Sequence, residues 1–398
     1  MKKPSHKTIT DLLYIPDHVE GLTIRPEALP IFQTSAYTMH GMDEVREVYA
    51  KKERGYTYTR KRNPNRTSLE RAITYLEGGE DTLCFSCAMG AITTLLLKEL
   101  RCGDHVLCNA NIYGETREVL DDILGKFGVA CTYLDFSDLE AVEQAIQPNT
   151  KIVFTEVLSN PTLTLTDIEG VAQIAHKHGA LLCVDNTFTT PIAIRPYTLG
   201  ADYVINSLTK FMNGHSDVSG GSLTGNAQRI SDMLGMGMKC GTTSASPFDS
   251  WLITRGLQTM DLRVKRQMEN TKKLVHALEQ FPCVERVYHP EAASYQQKEL
   301  AAKMFPEGWS TAIFSFVVPE DMDGINAFMK RLEFPHYAPT LGGIRTTLSH
   351  SVTSSHAHMP DAERRAIGIT PGMIRVSVGI EDADDLIEDF RQALRVFC

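Results

Sequence analysis

Short apolar runs alternate with amphipathic stretches through the middle of the chain. Five of the runs, "DTLCFS" (81–86), "DHVLCNA" (104–110), "KIVFTEV" (151–157), "ALLCVDN" (180–186) and "ADYVINS" (201–207), have strand length. Being apolar nearly throughout, they predict strands buried on both faces. The amphipathic stretches "AMGAITTLLLKEL", "GETREVLDDILGKFG" and "TDIEGVAQIAHKHG" predict helices between them, the last stopped by Gly179. Residues 61–260 are therefore expected to form a large α/β domain, a mostly parallel sheet covered by helices on both faces.

Residues 1–60 read as a mixed arm, with "RPEALPIFQTSAYT" extended and "MDEVREVYAKKER" a short helix. Beyond the sheet, "FDSWLITRGLQTMDLRVKRQMENTKKLVHALEQF" predicts one long helix. Residues 261–398 then predict a smaller α+β domain, with strands near "TAIFSFVV" and "MIRVSVGI" and helices near "GINAFMKRLE" and "DADDLIEDFRQAL". Between those strands, residues 338–360 make a Gly/Ser/Thr-rich stretch, and a loop of that length is usually functional.

Composition narrows the classes of function. The 398 residues are 42% hydrophobic and 22% charged, which suits two globular domains. A net charge of −9 without a basic run argues against a nucleic-acid partner. The longest apolar runs are far too short to span a bilayer, and "MKKPSHKTITDLL" lacks the apolar core of a secretory signal. Nine cysteines, an odd number lying mostly in apolar runs (Cys84, Cys108, Cys183), suit reduced thiols in a cytoplasm. The CxxC of Cys84 and Cys87 has no second pair to complete a metal site. The HxH pairs His176/His178 and His356/His358 read as solvated residues, so no metal is expected.

Polar groups gather where the strands end. Asp185 closes one strand, and Ser207 closes another with Thr209 and Lys210 just beyond. Ser86 and Cys87 open a helix whose free N–H groups make an anion site. Ligands on such sheets bind beyond the carboxyl ends of the strands. A lysine for an aldehyde, a carboxylate for a pyridine nitrogen, a phosphate cradle and a flat face, Tyr113 in "NIYGET", are the parts that hold pyridoxal 5′-phosphate. Spacing alone leaves a bland reading open, with Asp185 capping a turn, Lys210 solvated and both hydroxyls bonding backbone.

Eight motifs go further: "YTYTRKRNPNRTSLE", "SCAMGAI", "NIYGET", "SNPTLTLTDIEGVAQIAHKHGALLCVDNTF", "SLTKFMNGHSDVSGG", "SPFDSWLITRGLQTMDLR", "TLGG" and "GMIRVSVGIED". In this order they resemble the cystathionine γ-synthase/cystathionine γ-lyase/methionine γ-lyase family, the Cys/Met-metabolism enzymes that use pyridoxal phosphate. The resemblance runs from roughly residue 28 to the C-terminus and implies a fold-type I pyridoxal-phosphate enzyme. It implies Lys210 as the Schiff-base lysine and proton shuttle, Asp185 as partner of the pyridine nitrogen, and Asn160 and Thr187 along the ring's phenolic edge. Tyr113 would stack on the ring and act as a base toward the substrate amine. Ser207 and Thr209, with N–H groups at Cys87, Ala88 and Met89, would cradle the phosphate. Tyr58 and Arg60 would reach that phosphate from the neighbouring subunit, making residues 1–60 an inter-subunit arm and the enzyme a homodimer or homotetramer. Arg375 would grip the substrate α-carboxylate, with Thr340 beside it.

Departures from the family pattern fall mainly on the substrate side. Cys87-Ala88-Met89 stands where Ser-Gly-Met is usual, but those positions act through backbone N–H groups, so cofactor binding is expected to survive. "NPN" at 63–65 replaces "NPT". Thr57 and Arg345 replace acids found in relatives that handle cystathionine, and Glu115 follows Gly114 where glycine or cysteine is common. The expected function is γ-elimination on a γ-substituted L-amino acid, methionine γ-lyase-like or canavanine γ-lyase-like, with Glu115 and Arg345 on the substrate side. The alternatives are a γ-replacement synthase or sulfhydrylase acting on an activated homoserine, and a non-catalytic cofactor-binding scaffold.

Overall fold

A computed structural model describes residues 8–15, 26–50, 55–354, 357 and 359–397. Its main sheet has seven strands: β1 (Asp81–Phe85), β2 (His105–Asn109), β3 (Ala130–Leu134), β4 (Thr150–Glu156), β5 (Leu181–Asp185), β6 (Tyr203–Ser207) and β7 (Gly221–Gly225). Their order is β1-β7-β6-β5-β4-β2-β3, all parallel except β7, which runs against both neighbours. The mostly parallel sheet is as expected, with β3 and β7 added to the five strands read from apolar runs. Both faces are covered. Along β5, Leu182 and Val184 enter the larger core and Cys183 enters the other. Helices Pro64–Glu77, Ile168–Lys177 and Met260–Leu278 close the larger core, and Ala88–Glu99 and Ala227–Cys240 close the other.

Local chemistry sets the helix ends. Asn63 caps Pro64–Glu77 by accepting from Asn65 N at 2.9 Å, Pro64 begins it, and Gly78 at φ 71° ends it. The Asn65 side chain bonds Phe32 N and Pro30 O, both at 2.8 Å, so the "NPN" variation fastens the extended arm. Among the described residues no helix is long and apolar enough to cross a membrane.

A second sheet contains β8 (Arg286–Tyr288), β9 (Ile313–Val317), β10 (His336–Tyr337), β11 (Thr347–His350) and β12 (Met373–Ser377), in the order β10-β11-β12-β9-β8. Phe316 on β9 packs against Phe328 and Phe390 of helices Met322–Arg331 and Ala383–Leu394, with ring centroids 6.0 and 6.1 Å apart.

Three expectations are corrected. The long helix breaks at Thr259 into Pro247–Gln258 and Met260–Leu278, where the Thr259 hydroxyl turns back to Gly256 O at 3.3 Å. The stretch 338–360 is not all loop, because "TLSH" forms β11 between β10 and β12. Of "GETREVLDDILGKFG" only Gly114–Glu118 is α-helical, followed by a wide turn, Val119–Ile123, and a tight one, Leu124–Phe127. The arm helix spans Met42–Tyr49. The predicted tail of that helix at 51–54, and His356 and His358, lie outside the described residues.

Candidate active site

Strands β4, β5 and β6 end side by side on Glu156, Asp185 and Ser207, with Glu156 in register with Asp185. Just past β6, Lys210 has φ −94° and ψ −130° and interrupts the turn Leu208–Met212. Gly342, at φ 78°, packs so closely on that turn that a Cβ would lie 2.4 Å from Phe211 N and 3.1 Å from Lys210 Cα. The approach delivers Thr340, whose Oγ1 accepts from the Lys210 amine at 3.3 Å. Arg375 arrives from β12 and donates to Thr340 O at 3.2 Å and to Asn160 Oδ1 at 3.1 Å. Tyr113 precedes helix Gly114–Glu118, and the Glu115 carboxylate acts on its hydroxyl. Lys210, Tyr113, Glu115, Asn160, Thr340 and Arg375 therefore share one pocket.

Charges in this pocket are unevenly matched. Arg375 is 6% exposed, yet among the described residues its partners are neutral oxygens and its Nε has none. Burial lowers its pKa to about 10, against the pull of Tyr113 and Tyr337. A buried guanidinium without a carboxylate is suited to an anionic ligand. Burial first, then the Arg375 charge, lower the Lys210 pKa, while Glu115 opposes them. That is the direction a neutral amine needs. Burial, the Glu115 charge and its hydrogen bond push Tyr113 up to about 12, so the hydroxyl keeps its proton. Burial raises the Asp185 pKa, and bonds from Thr187 oppose it, the N–H donating at 2.9 Å. Thr187 Oγ1 also accepts from Ser207 N at 2.8 Å, which ties the two strand ends together.

The expected phosphate corner is the start of helix Ala88–Glu99. Cys87 caps it, its sulfur accepting from Gly90 N at 3.4 Å, while first-turn N–H groups such as those of Ala88 and Met89 have no partner within any helix. Gly221 of β7 passes against this corner, where a Cβ would lie 2.4 Å from the Cys87 carbonyl and 2.5 Å from Ala88 Cα. Thr209 is placed by Gly220, whose N–H donates to its hydroxyl at 3.0 Å. Cys84 is buried in the larger core, so the CxxC divides into one packing residue and one cap.

Some expected residues stand elsewhere within the single chain. Tyr58 and Arg60 line a separate hollow of about 350 Å³ with Gln33–Ser35 and Ser244–Pro247. Arg345 is exposed and pairs with neither Glu115 nor Tyr113 among the described residues. One site residue was missed. Glu156 is buried and accepts the Tyr113 N–H at 2.7 Å. Burial and the adjacent Asp185 charge raise its pKa well above the ordinary 4.5, with the Tyr113 N–H opposing them. Its signal in the sequence was a lone carboxylate inside the apolar run "KIVFTEV".

A family model described as "Cys/Met metabolism PLP-dependent enzyme" matches residues 16–395. The chain belongs to this family. It is 39% identical over 367 residues to a cystathionine γ-lyase of Bacillus subtilis, covering 92% of this chain and 94% of that protein. An L-methionine γ-lyase of Treponema denticola is 37% identical over 370 residues, covering 92% of each. A putative O-acetylhomoserine (thiol)-lyase of Campylobacter jejuni, solved with N′-pyridoxyl-lysine-5′-monophosphate, matches with a TM-score of 0.91 at 27% identity, covering 98% of this chain and 100% of that one. The Cys/Met-family cofactor is pyridoxal 5′-phosphate, and the residues here fit it. The crowded helix start at Gly221 suits a phosphate held by backbone, and the Lys210 amine and Asp185 carboxyl lie at adjacent strand ends.

Proposed function

We propose that this Cys/Met-family enzyme catalyses γ-elimination on a γ-substituted L-amino acid. The observation that carries the reading is Arg375, a buried cation that has no anionic partner among the described residues and shares Thr340 with Lys210. Its guanidinium would bind the substrate α-carboxylate and so set Cα beside the Lys210 amine. Asp185 would hold the cofactor's pyridine nitrogen, Tyr113 its face, and Asn160 and Thr187 its edge. Ser207, Thr209 and the N–H groups of Cys87, Ala88 and Met89 would hold its phosphate. When bound, pyridoxal phosphate supplies an electron-withdrawing ring that stabilises negative charge at Cα. Lys210, with its lowered pKa, would take a proton from Cα, give that proton up, and as the free amine again take one from Cβ. The Tyr113 hydroxyl, kept protonated, stands to protonate the departing γ-group. The γ-substituted amino acid and one water give the protonated γ-group, 2-oxobutanoate and ammonia.

Within this reading, residues 1–60 form an arm whose Tyr58 and Arg60 serve a neighbouring copy of the chain, 61–260 carry the cofactor and 261–398 the substrate side. The eight described cysteines are free thiols, which supports a cytoplasmic setting. γ-Replacement is the alternative, favoured by the C. jejuni likeness. Mass spectrometry of products from methionine, canavanine, O-acetylhomoserine and the β-substituted O-acetylserine, with and without an added thiol, tests the proposal. 2-Oxobutanoate formed without thiol supports it. Pyruvate from a β-substituted substrate alone, or product only with thiol, overturns it.

A further inference from the structure

One face of helix Met260–Leu278 carries polar side chains into the interior. Arg263, Gln267 and Asn270 are spaced four and three residues apart, which places them on that face, and all three are buried. Their donors go to main-chain carbonyls of the pocket's loops. Arg263 bonds Phe211 O at 3.1 Å and Met212 O at 3.3 Å, directly behind Lys210. Gly214, at φ 76°, leaves room for it, since a Cβ there would lie 1.8 Å from the guanidinium. Gln267 Nε2 bonds Gly343 O at 2.8 Å, on the loop of Thr340, and Val378 O at 2.9 Å, where the chain leaves the strand of Arg375. Asn270 Nδ2 bonds Gly379 O at 3.1 Å and Glu381 O at 2.8 Å. Burying these groups costs desolvation that an apolar helix face would avoid, so their use lies in what they hold.

We propose that Arg263, Gln267 and Asn270 are positioning residues, a column that references the lysine-bearing turn and the carboxylate-binding loops to one rigid helix. The column keeps Lys210 and Arg375 at a fixed spacing. It rests on the assignments of Lys210 and Arg375 and on no particular γ-group. Its rungs divide the labour. Arg263 also bonds Gly256 O at 2.7 Å and Thr259 Oγ1 at 3.1 Å on the approach to its own helix. Of the pocket's loops it grips the lysine turn alone, while Gln267 grips the loops of Thr340 and Arg375. Loosening Gln267 weakens carboxylate binding in ground and transition states alike, a loss seen in KM. Loosening Arg263 moves Lys210, a change seen in the bound cofactor itself.

Gln267→Met keeps the length and removes both donors, and Arg263→Lys keeps the charge and loses the fork. Both are purified as holoenzymes beside Lys210→Ala. Gln267→Met raises KM for the amino acid on the order of tenfold, with kcat and the cofactor's visible absorbance as in the parent. Arg263→Lys alters visible absorbance and circular dichroism and speeds cofactor loss on dialysis, with KM nearly unchanged. The column is refuted if both variants only lower the melting temperature, or if both move both sets of readouts alike. Should Gln267→Met fail to fold, Gln267→Asn must give the KM rise, and an unchanged KM there counts against the column. If Lys210→Ala keeps the parental absorbance, it is the lysine assignment that fails.

Discussion

At position 115 a carboxylate acts on both the Tyr113 hydroxyl and the Lys210 amine, while nearby Arg117 is engaged with Asp121 at 3.4 Å. Once Lys210 is bound to cofactor, Glu115 retains acceptor capacity toward the γ-end of a substrate. A γ-group with a cation or several N–H donors, such as the guanidino-oxy group of canavanine, would use it. Glu115→Gln is then expected to lower kcat/KM for canavanine by roughly tenfold or more while changing methionine little. Equal effects on both substrates would sink the idea. Glu156 acts differently, through the 2.7 Å bond that holds Tyr113 N. Glu156→Gln keeps the acceptor and should keep kcat/KM near parental, whereas Glu156→Ala should lose on the order of ten- to a hundredfold. Equal losses in steady-state kinetics would mean that the carboxyl proton, and not the bond, is what matters. Lys210, Asp185 and Arg375 were legible because each sits in a contiguous motif. Glu156 works through a residue forty-three positions away and leaves only a lone charge in an apolar run.

Helix Pro64–Glu77 ends on a carboxylate that is 0% exposed, bonded by Asn206 Nδ2 at 2.6 Å and Asn186 Nδ2 at 3.2 Å. These asparagines adjoin Ser207 and Asp185, so the helix end fixes how β5 and β6 splay. Burial raises the Glu77 pKa from 4.5 to about 7, with the two asparagines opposing it. The folded chain therefore holds this proton more tightly than the unfolded one. Its contribution is fully present below the unfolded value of 4.5 and is lost as pH rises to about 7. At about 1.4 kcal/mol per pH unit the loss is at most roughly 3.5 kcal/mol. Denaturant titrations across that window should show a falling stability in the parent and a flatter profile in Glu77→Gln; parallel profiles would contradict the assignment. Element boundaries were less legible than the site. Strand β7 reads "GSLTG" because Gly221 must pass the Cys87–Ala88 backbone, and that small-residue requirement erased the apolar signature. Strand β11 was hidden by its polar "TLSH", and β3 lies at the sheet edge, half-exposed, with a correspondingly weak pattern. The five apolar runs could be read because both their faces are buried, even in β1 at the opposite sheet edge.

In the whole molecule, Tyr58 and Arg60 line a hollow apart from Lys210, and the arm helix Met42–Tyr49 exposes Met42, Val45 and Tyr49. Both features suit contact with a second copy of the chain. Mixing Arg60→Ala chains with Lys210→Ala chains should then create hybrid dimers in which one site carries both lesions and the other carries neither. Activity should reappear in the mixture although each parent is poor, and no recovery despite proven subunit exchange would count against a shared site. The buried column of helix Met260–Leu278 has a consequence for how such genes recombine. What it grips earlier in the chain is the lysine turn and the Gly256–Thr259 approach to the helix itself, and what it grips later belongs to the loops of Thr340 and Arg375. The accepting groups are carbonyls, present whatever side chains the loops carry. A crossover between two family members after the helix, within 279–337, would import a foreign substrate loop that the resident donors could still hold. Specificity could then pass between lineages as a cassette, whereas a junction inside the helix would part rungs that have to travel together.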